Sequence, residues 1–447
     1  MVSGRPFLQI PGPTNVPDRI LRAMDRPVID HRGPEFAALT KEILPLLRQV
    51  FGTRGGTEGG EPVLYPSSGT GAWEAALVNT LAPGDRVLAF NYGHFSAQFA
   101  QTARNLGYVV DEIPLRWGQA LPPDEVERRL RADTVTTAGS SSYRAVLVVQ
   151  NETSTGVLSD VGAIRRAMDA AGHDALLLVD AVSSLGSTAF KLDEWRVDVA
   201  LAGSQKGLML PPGIALLCAG SRARAAGEKG GAPRHFFDWR PILRDNAAGF
   251  FPYTPATLLL FGLREALRML VEEEGLDAVY NRHERLAGGV RAAVDAWGRS
   301  DAKGLRILCE TPAHYSPTLT AVTMPEGSDS DAVIRHARER FGLALGVGLG
   351  QIKGKVLRIG HLGALNELEV LGTLGGVELA LKESGVPLEL GAGVAAAQRS
   401  FFKETEVEAT PRSSATPANG AARPKLTTTN AATVAAKPAA SAVAGAR

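Results

Sequence analysis

A chain of 447 residues, 45% apolar and 21% charged, is long enough for two packed domains and has the balance of an ordinary globular protein. Its formal net charge of +1 supplies no field to hold nucleic acid or an anionic membrane, so any bound anion must be met by a local site. Two cysteines, Cys218 and Cys309, cannot build a disulfide framework and lack metal-type spacing, and no uncharged apolar run approaches the ~20 residues that span a bilayer. The opening Met1-Val2-Ser3-Gly4-Arg5-Pro6-Phe7 has no apolar signal core, so a cytoplasmic location is expected, with neither nucleic acid nor membrane as partner.

In chain order, strand-like Val63-Leu64-Tyr65 passes through Ser67-Ser68-Gly69-Thr70-Gly71 into a helix expected over 72–81. The turn Pro83-Gly84-Asp85 precedes Val87-Leu88-Ala89-Phe90. Further apolar runs follow at 145–149, 175–179 and 197–201, with a helical stretch over 161–171 between two of them. Continuous apolar runs bounded by turns suit strands buried on both faces of a parallel sheet, and their alternation with helices is a βαβ pattern. An amphipathic helix is expected over 258–274, with Leu259, Leu263, Ala266, Leu267 and Leu270 on one stripe. Strand candidates at 305–309, 319–324 and 356–359, interleaved with helices at 329–341 and 366–382, make a smaller α+β domain. From Ala409 onward there is no acidic and no aromatic residue, and such a segment buries too little apolar surface to offset its ordering entropy. The expected organisation is an N-terminal segment 1–20, a large domain 21–255, a small domain 256–390 and a disordered tail 391–447, with function at the cleft between the domains.

Three groups carry chemistry. Lys206, in Gly203-Ser204-Gln205-Lys206-Gly207, directly follows a buried strand. A lysine there is awkwardly placed for a surface charge, and with a pKa of ~10.4 it is a poor nucleophile at neutral pH unless desolvated; a Schiff base to a cofactor aldehyde answers both difficulties. A solvated loop lysine is the bland alternative. Asp180 ends the run Leu176-Leu177-Leu178-Val179-Asp180, where a carboxylate is costly without a cationic partner. A protonated pyridine nitrogen is one such partner, and a turn-capping aspartate is the alternative. Ser67-Ser68-Gly69-Thr70-Gly71 offers backbone N–H groups at a helix start to a phosphate, or is a plain cap. It matches neither a P-loop nor a dinucleotide fingerprint. Phosphate cup, ring-nitrogen carboxylate and Schiff-base lysine stand in the order that a pyridoxal 5′-phosphate (PLP) site on an open α/β sheet would use, all at strand ends.

Over residues 5 to 385 the chain resembles the class V, fold type I PLP-dependent aminotransferases, in particular the serine–glyoxylate and alanine–glyoxylate group. The matching stretches include Pro11-Gly12-Pro13-Thr14-Asn15-Val16-Pro17, Ser68-Gly69-Thr70-Gly71, Glu152-Thr153-Ser154-Thr155-Gly156 and Val179-Asp180-Ala181-Val182-Ser183-Ser184. Gly203-Ser204-Gln205-Lys206 and Gly354-Lys355-Val356-Leu357-Arg358-Ile359-Gly360 complete the set. The resemblance implies a large domain with a mostly parallel seven-stranded sheet and a smaller C-terminal α+β domain. It implies that Ser68, Gly69, Thr70 and Gln205 hold the phosphate, that Phe95 and Val182 pack on the two ring faces, and that Thr153 bonds near the ring hydroxyl. Asp180 and Lys206 keep the roles given above, while Arg358 would clamp the substrate carboxylate and Asn15 would contact substrate. Tyr253 and Thr254 would reach the phosphate of a neighbouring subunit, making a homodimer with a shared site, or a tetramer. His31, Arg32 and His94 are further pocket candidates or structural residues.

The implied reaction is amino transfer from serine, or alanine, to glyoxylate, giving glycine and a 2-oxo acid such as hydroxypyruvate. A ureidoglycine, aspartate or aminophosphonate donor is the near alternative. A PLP lyase or desulfurase is the less favoured alternative, since a desulfurase needs an exposed mobile cysteine, which the setting of neither Cys218 nor Cys309 suggests. A non-catalytic scaffold is disfavoured by intact Lys206, Asp180 and Arg358.

Overall fold

The computed structural model describes residues 6–133, 142–229, 231–299 and 304–409. Its larger sheet has seven strands in the order Glu61–Pro66, Ile214–Ala219, Val199–Gly203, Leu176–Asp180, Ala145–Val149, Arg86–Asn91, Val109–Pro114. From Val199–Gly203 to Val109–Pro114 every neighbour pairs in parallel, while Ile214–Ala219 runs antiparallel to both its neighbours. All residues of Ala145–Val149, Leu176–Asp180 and Val199–Gly203 are buried, because helices cover both sheet faces. Helix Gly69–Thr80 lies on one face, its alanines Ala72, Ala75 and Ala76 letting it approach the strands closely. Pro34–Phe51 and Thr257–Leu267 pack on the other. The 258–274 run is therefore helical, although Arg268–Glu273 continues it as a wider π turn. One strand begins two residues later than its apolar run. Asp198 turns its carboxylate to accept from Leu177 N at 2.8 Å, and pairing starts at Val199.

The second sheet has five strands in the order Phe7–Gln9, Leu343–Val347, Val356–Gly360, Leu319–Thr323, Arg306–Ile307. The N-terminal segment 1–20 contributes the first of these strands. Phe7–Gln9 pairs in parallel with Leu343–Leu345, so this segment belongs to the C-terminal sheet. Helices Leu276–Arg299, Ser330–Phe341 and Glu367–Glu383 line the core of this sheet.

The tail expectation needs correction from its start. A helix runs over Ala392–Ala409, and its N-terminus is capped from a distance. Buried Glu378 accepts from Gly391 N at 2.6 Å, Gly393 N at 2.8 Å and the Trp297 indole at 2.9 Å. A carboxylate at a helix start meets both unsatisfied N–H groups and the positive dipole end. Residues 410–447 lie outside those described.

Candidate active site

Five strands leave the large sheet at the same edge, and the residues just after them converge. Ser67 and Ser68 follow Glu61–Pro66, Phe95 follows Arg86–Asn91, Thr153 follows Ala145–Val149, Val182 follows Leu176–Asp180 and Lys206 follows Val199–Gly203. They enclose a cavity of about 170 Å³ lined by Ser68, Gly69, Thr70, Trp73, Phe95, Thr153, Asp180, Val182, Gln205 and Lys206, with Val149, Asn151 and Ser183. An open α/β sheet places its ligands at this strand edge.

The helix Gly69–Thr80 opens toward the cavity with Ser68 at its N-cap and no side-chain cap, so its first N–H groups are available to an anion. Glycine at position 69 lets the helix start lie close to Val182, whose Cγ2 would stand 3.0 Å from a Cβ there. The amide oxygens of Asn151 and Gln205 are buried without a protein partner, an arrangement that a ligand would complete. These features suit a flat polar ring carrying a phosphate.

Asp180 ends its strand with both oxygens engaged. Val182 N donates to Oδ1 at 2.7 Å and the Trp73 indole donates to Oδ2 at 2.7 Å. Burial pushes its pKa up to about 6, against the pull of those two donors and of Lys206. Burial, aided by the charge of Arg358, lowers Lys206 to about 8, while Asp180 opposes the shift. The Lys206 ammonium donates to the Pro11 carbonyl. Gly12, at φ +99°, lets that segment lie over it, since a Cβ there would fall 2.6 Å from Nζ.

Arg358 stands behind Thr153, outside the cavity lining. Its Nε donates to Val347 O and its Nη1 to Thr153 O, both at 2.8 Å. Burial lowers its pKa to about 10, with Glu152 opposing. Fully buried Glu152 accepts from Ser96 N at 2.9 Å and from Ser154 N and Oγ at 3.0 and 2.7 Å, joining the Phe95 helix to the Thr153 turn. Its pKa is raised by the same burial.

Several expected residues are not brought together here. Asn15 donates its amide to Leu8 O at 3.3 Å and lines a separate cleft with Phe7 and Glu369. Tyr253 donates to Leu64 O at 2.6 Å within an aromatic group with Tyr65, Phe236 and Phe251, and neither it nor Thr254 lines the cavity. His31, Arg32 and His94 are also outside the lining, although the His94 ring meets Phe95 edge-on at 5.3 Å. Trp73 and Glu152 were missed as functional candidates. Trp73 lies two residues beyond the quoted Ser68–Gly71 stretch, and Glu152 opens the Glu152–Gly156 stretch without a role of its own.

A parallel-rich sheet ending in an anion cup, a buried carboxylate and a desolvated lysine defines an enzyme of amino-group chemistry. The chain belongs to the class-V aminotransferase family, whose model matches residues 7–351. It is 48% identical to a serine–glyoxylate aminotransferase of Methylorubrum extorquens over 90% of this chain and 97% of that protein. It is 44% identical to an L-aspartate–glyoxylate aminotransferase of Paracoccus denitrificans over 91% and 98%. Its fold is similar to that of the ureidoglycine–glyoxylate aminotransferase of Bacillus subtilis, with a TM-score of 0.79 at 28% identity, covering 90% of this chain and 99% of that one.

Proposed function

We propose that this protein transfers the amino group of a small L-amino acid, serine foremost, to glyoxylate, forming glycine and a 2-oxo acid, with PLP held on Lys206. The observation that carries the reading is the meeting of Lys206 and Asp180 across one cavity whose far wall is an uncapped helix N-terminus. PLP would supply an aldehyde that carries the amino group and a ring that takes up electrons from the substrate α-carbon.

The protein's own residues do the rest. Of the cavity-lining residues, Ser68, Gly69, Thr70 and Gln205 would hold the phosphate, Phe95 and Val182 would pack on the ring, and Thr153 would bond near its hydroxyl. Asp180 keeps the ring nitrogen protonated. With the cofactor bound, Lys206 Nζ would take the α-proton of the substrate as general base and return it as general acid, a task suited to an amine whose pKa is lowered to about 8. Arg358 orients the substrate carboxylate with the terminal N–H groups that its backbone contacts leave over. A second copy of this chain would supply Tyr253 and Thr254, neither of which lines this chain's own cavity, so the working unit is a homodimer. Among the described residues no helix is long and apolar enough to cross a membrane, and we place the enzyme in the cytoplasm.

The resemblance to an aspartate–glyoxylate enzyme favours aspartate as the second reading for the donor. The test is the visible spectrum of purified protein on adding L-serine and then glyoxylate. A cofactor band that serine bleaches and glyoxylate restores is expected, and Lys206→Ala abolishes it. A coloured protein that ignores serine and responds to aspartate moves the donor. A protein that stays colourless with PLP supplied overturns the proposal.

A further inference from the structure

We propose that Trp73 is a positioning residue whose indole N–H holds Asp180 ionised and in plane for the ring nitrogen of the cofactor. The inference rests on the PLP reading above and extends it to a residue that no motif singled out. Trp73 lies near the start of Gly69–Thr80, is buried, and lines the same cavity as Asp180. Its ring stacks on Phe99 with centroids 5.5 Å apart and planes 16° from parallel, which fixes the rotamer. The N–H so aimed meets Asp180 Oδ2 at 2.7 Å, while Val182 N holds Oδ1 at the same distance.

The chemistry of these two donors matters. A carboxylate offers about four lone-pair sites, so one donor on each oxygen fixes its plane and leaves acceptor capacity on both. Both donors are neutral. They favour the ionised form without cancelling its charge, and a full negative charge remains for a ring cation. A cationic donor in place of Trp73 would have used that charge up. The other titratable groups acting on Asp180 are Glu152, which opposes its ionisation, and Lys206, which favours it. Tyr92, bonded to Val149 O at 2.6 Å, feels the Asp180 charge and has its own pKa raised by burial, so it stays neutral. With Glu152 working against ionisation and burial complete, the indole is one of few groups that keep this carboxylate charged.

Trp73→Phe keeps a ring against Phe99 and deletes the N–H. The affinity of the apoprotein for PLP, measured by equilibrium dialysis between about pH 5 and 8, should fall on the acid side as Asp180 is protonated. In Trp73→Phe that acid limb moves upward by about one pH unit, roughly a tenfold loss of affinity on its acid side and little change at the alkaline end. Phe99→Leu, which loosens the stack and leaves the N–H, moves the limb by less than Trp73→Phe does. A Trp73→Phe protein that binds PLP more weakly by the same factor at every pH overturns the proposal and leaves Trp73 a packing residue. Should the variant fail to fold, wild-type protein with ¹⁵N-labelled indoles still decides. Of its five tryptophans, one indole N–H resonance should titrate with Asp180 in the apoprotein and shift when PLP is added. An indole spectrum indifferent to pH overturns the contact itself. Wild type that titrates but never binds PLP removes the cofactor reading and leaves the Trp73–Asp180 pair standing.

Discussion

Replacing Arg358 by lysine keeps a positive charge and removes the planar fork. In the structure the guanidinium spends two of its five N–H donors on backbone, Nε on Val347 O and Nη1 on Thr153 O, each at 2.8 Å. Three remain, at least one on each terminal nitrogen, which is the geometry that meets a carboxylate with two parallel bonds. A lysine has one nitrogen. If it stays with the carbonyls it cannot pair with the substrate in two places, and if it turns to the substrate it strands buried acceptors. Either way about one charge-assisted hydrogen bond is lost, about 1.5–3 kcal/mol, or roughly a 10- to 150-fold fall in kcat/KM. Serine and glyoxylate both carry a carboxylate beside the reacting carbon, so both half-reactions should fall in parallel and mainly through KM. Initial rates over a grid of the two substrates measure this, with thermal melting as the control for folding. A variant in which one substrate is affected and the other is not, or in which neither KM moves beyond twofold, refutes the clamp.

Three further outcomes follow from the geometry. Only a neutral amine attacks an aldehyde, and burial lowers Lys206 to about 8, so the rate at which apoprotein captures PLP should rise with pH and level off near there. A rate still climbing at about pH 10, as for a free lysine, contradicts the desolvated site. Glu378→Leu strips the donors of Trp297, Gly391 and Gly393 of their acceptor and should cost about 3–5 kcal/mol in denaturant unfolding, with faster amide exchange at the start of Ala392–Ala409. His283 and His361 are buried neutral, with pKa values lowered by burial to about 4 and about 3. The unfolded chain, with histidines near ~6.5, then binds more protons as the pH falls, so stability is full above that value and is lost downward toward about 4. The melting temperature should drop across that window, and less steeply in His283→Asn. A melt that ignores pH there rejects the assignment.

What the sequence makes legible is what the backbone must do locally. Ala145–Val149 and Leu176–Asp180 are readable because a strand covered on both faces has no polar face to interrupt its apolar run, and Asp180 and Lys206 stand out because each breaks such a run at its end. Phe7–Gln9 is not readable. It is three residues long and is a strand only because Leu343–Leu345 lies beside it, more than 330 residues away by number. Helix Ala392–Ala409 fails for the same reason, since its cap, Glu378, belongs to another helix.

Trp73 shows where this limit falls within the active site. In sequence it is one more aromatic in an alanine-rich helix, and packing on Phe99 accounts for it fully. Its indole acquires a chemical task because Gly69–Thr80 crosses the strand edge where Asp180 ends, a juxtaposition set by sheet order across residues 107 apart. The residues that perform the chemistry are exceptional in type and can be found one at a time. Those that tune them are ordinary in type and exceptional only in position. A reading of the site that stops at the lysine, the aspartate and the arginine therefore leaves out the indole and Glu152, although the charge state of Asp180 depends on both.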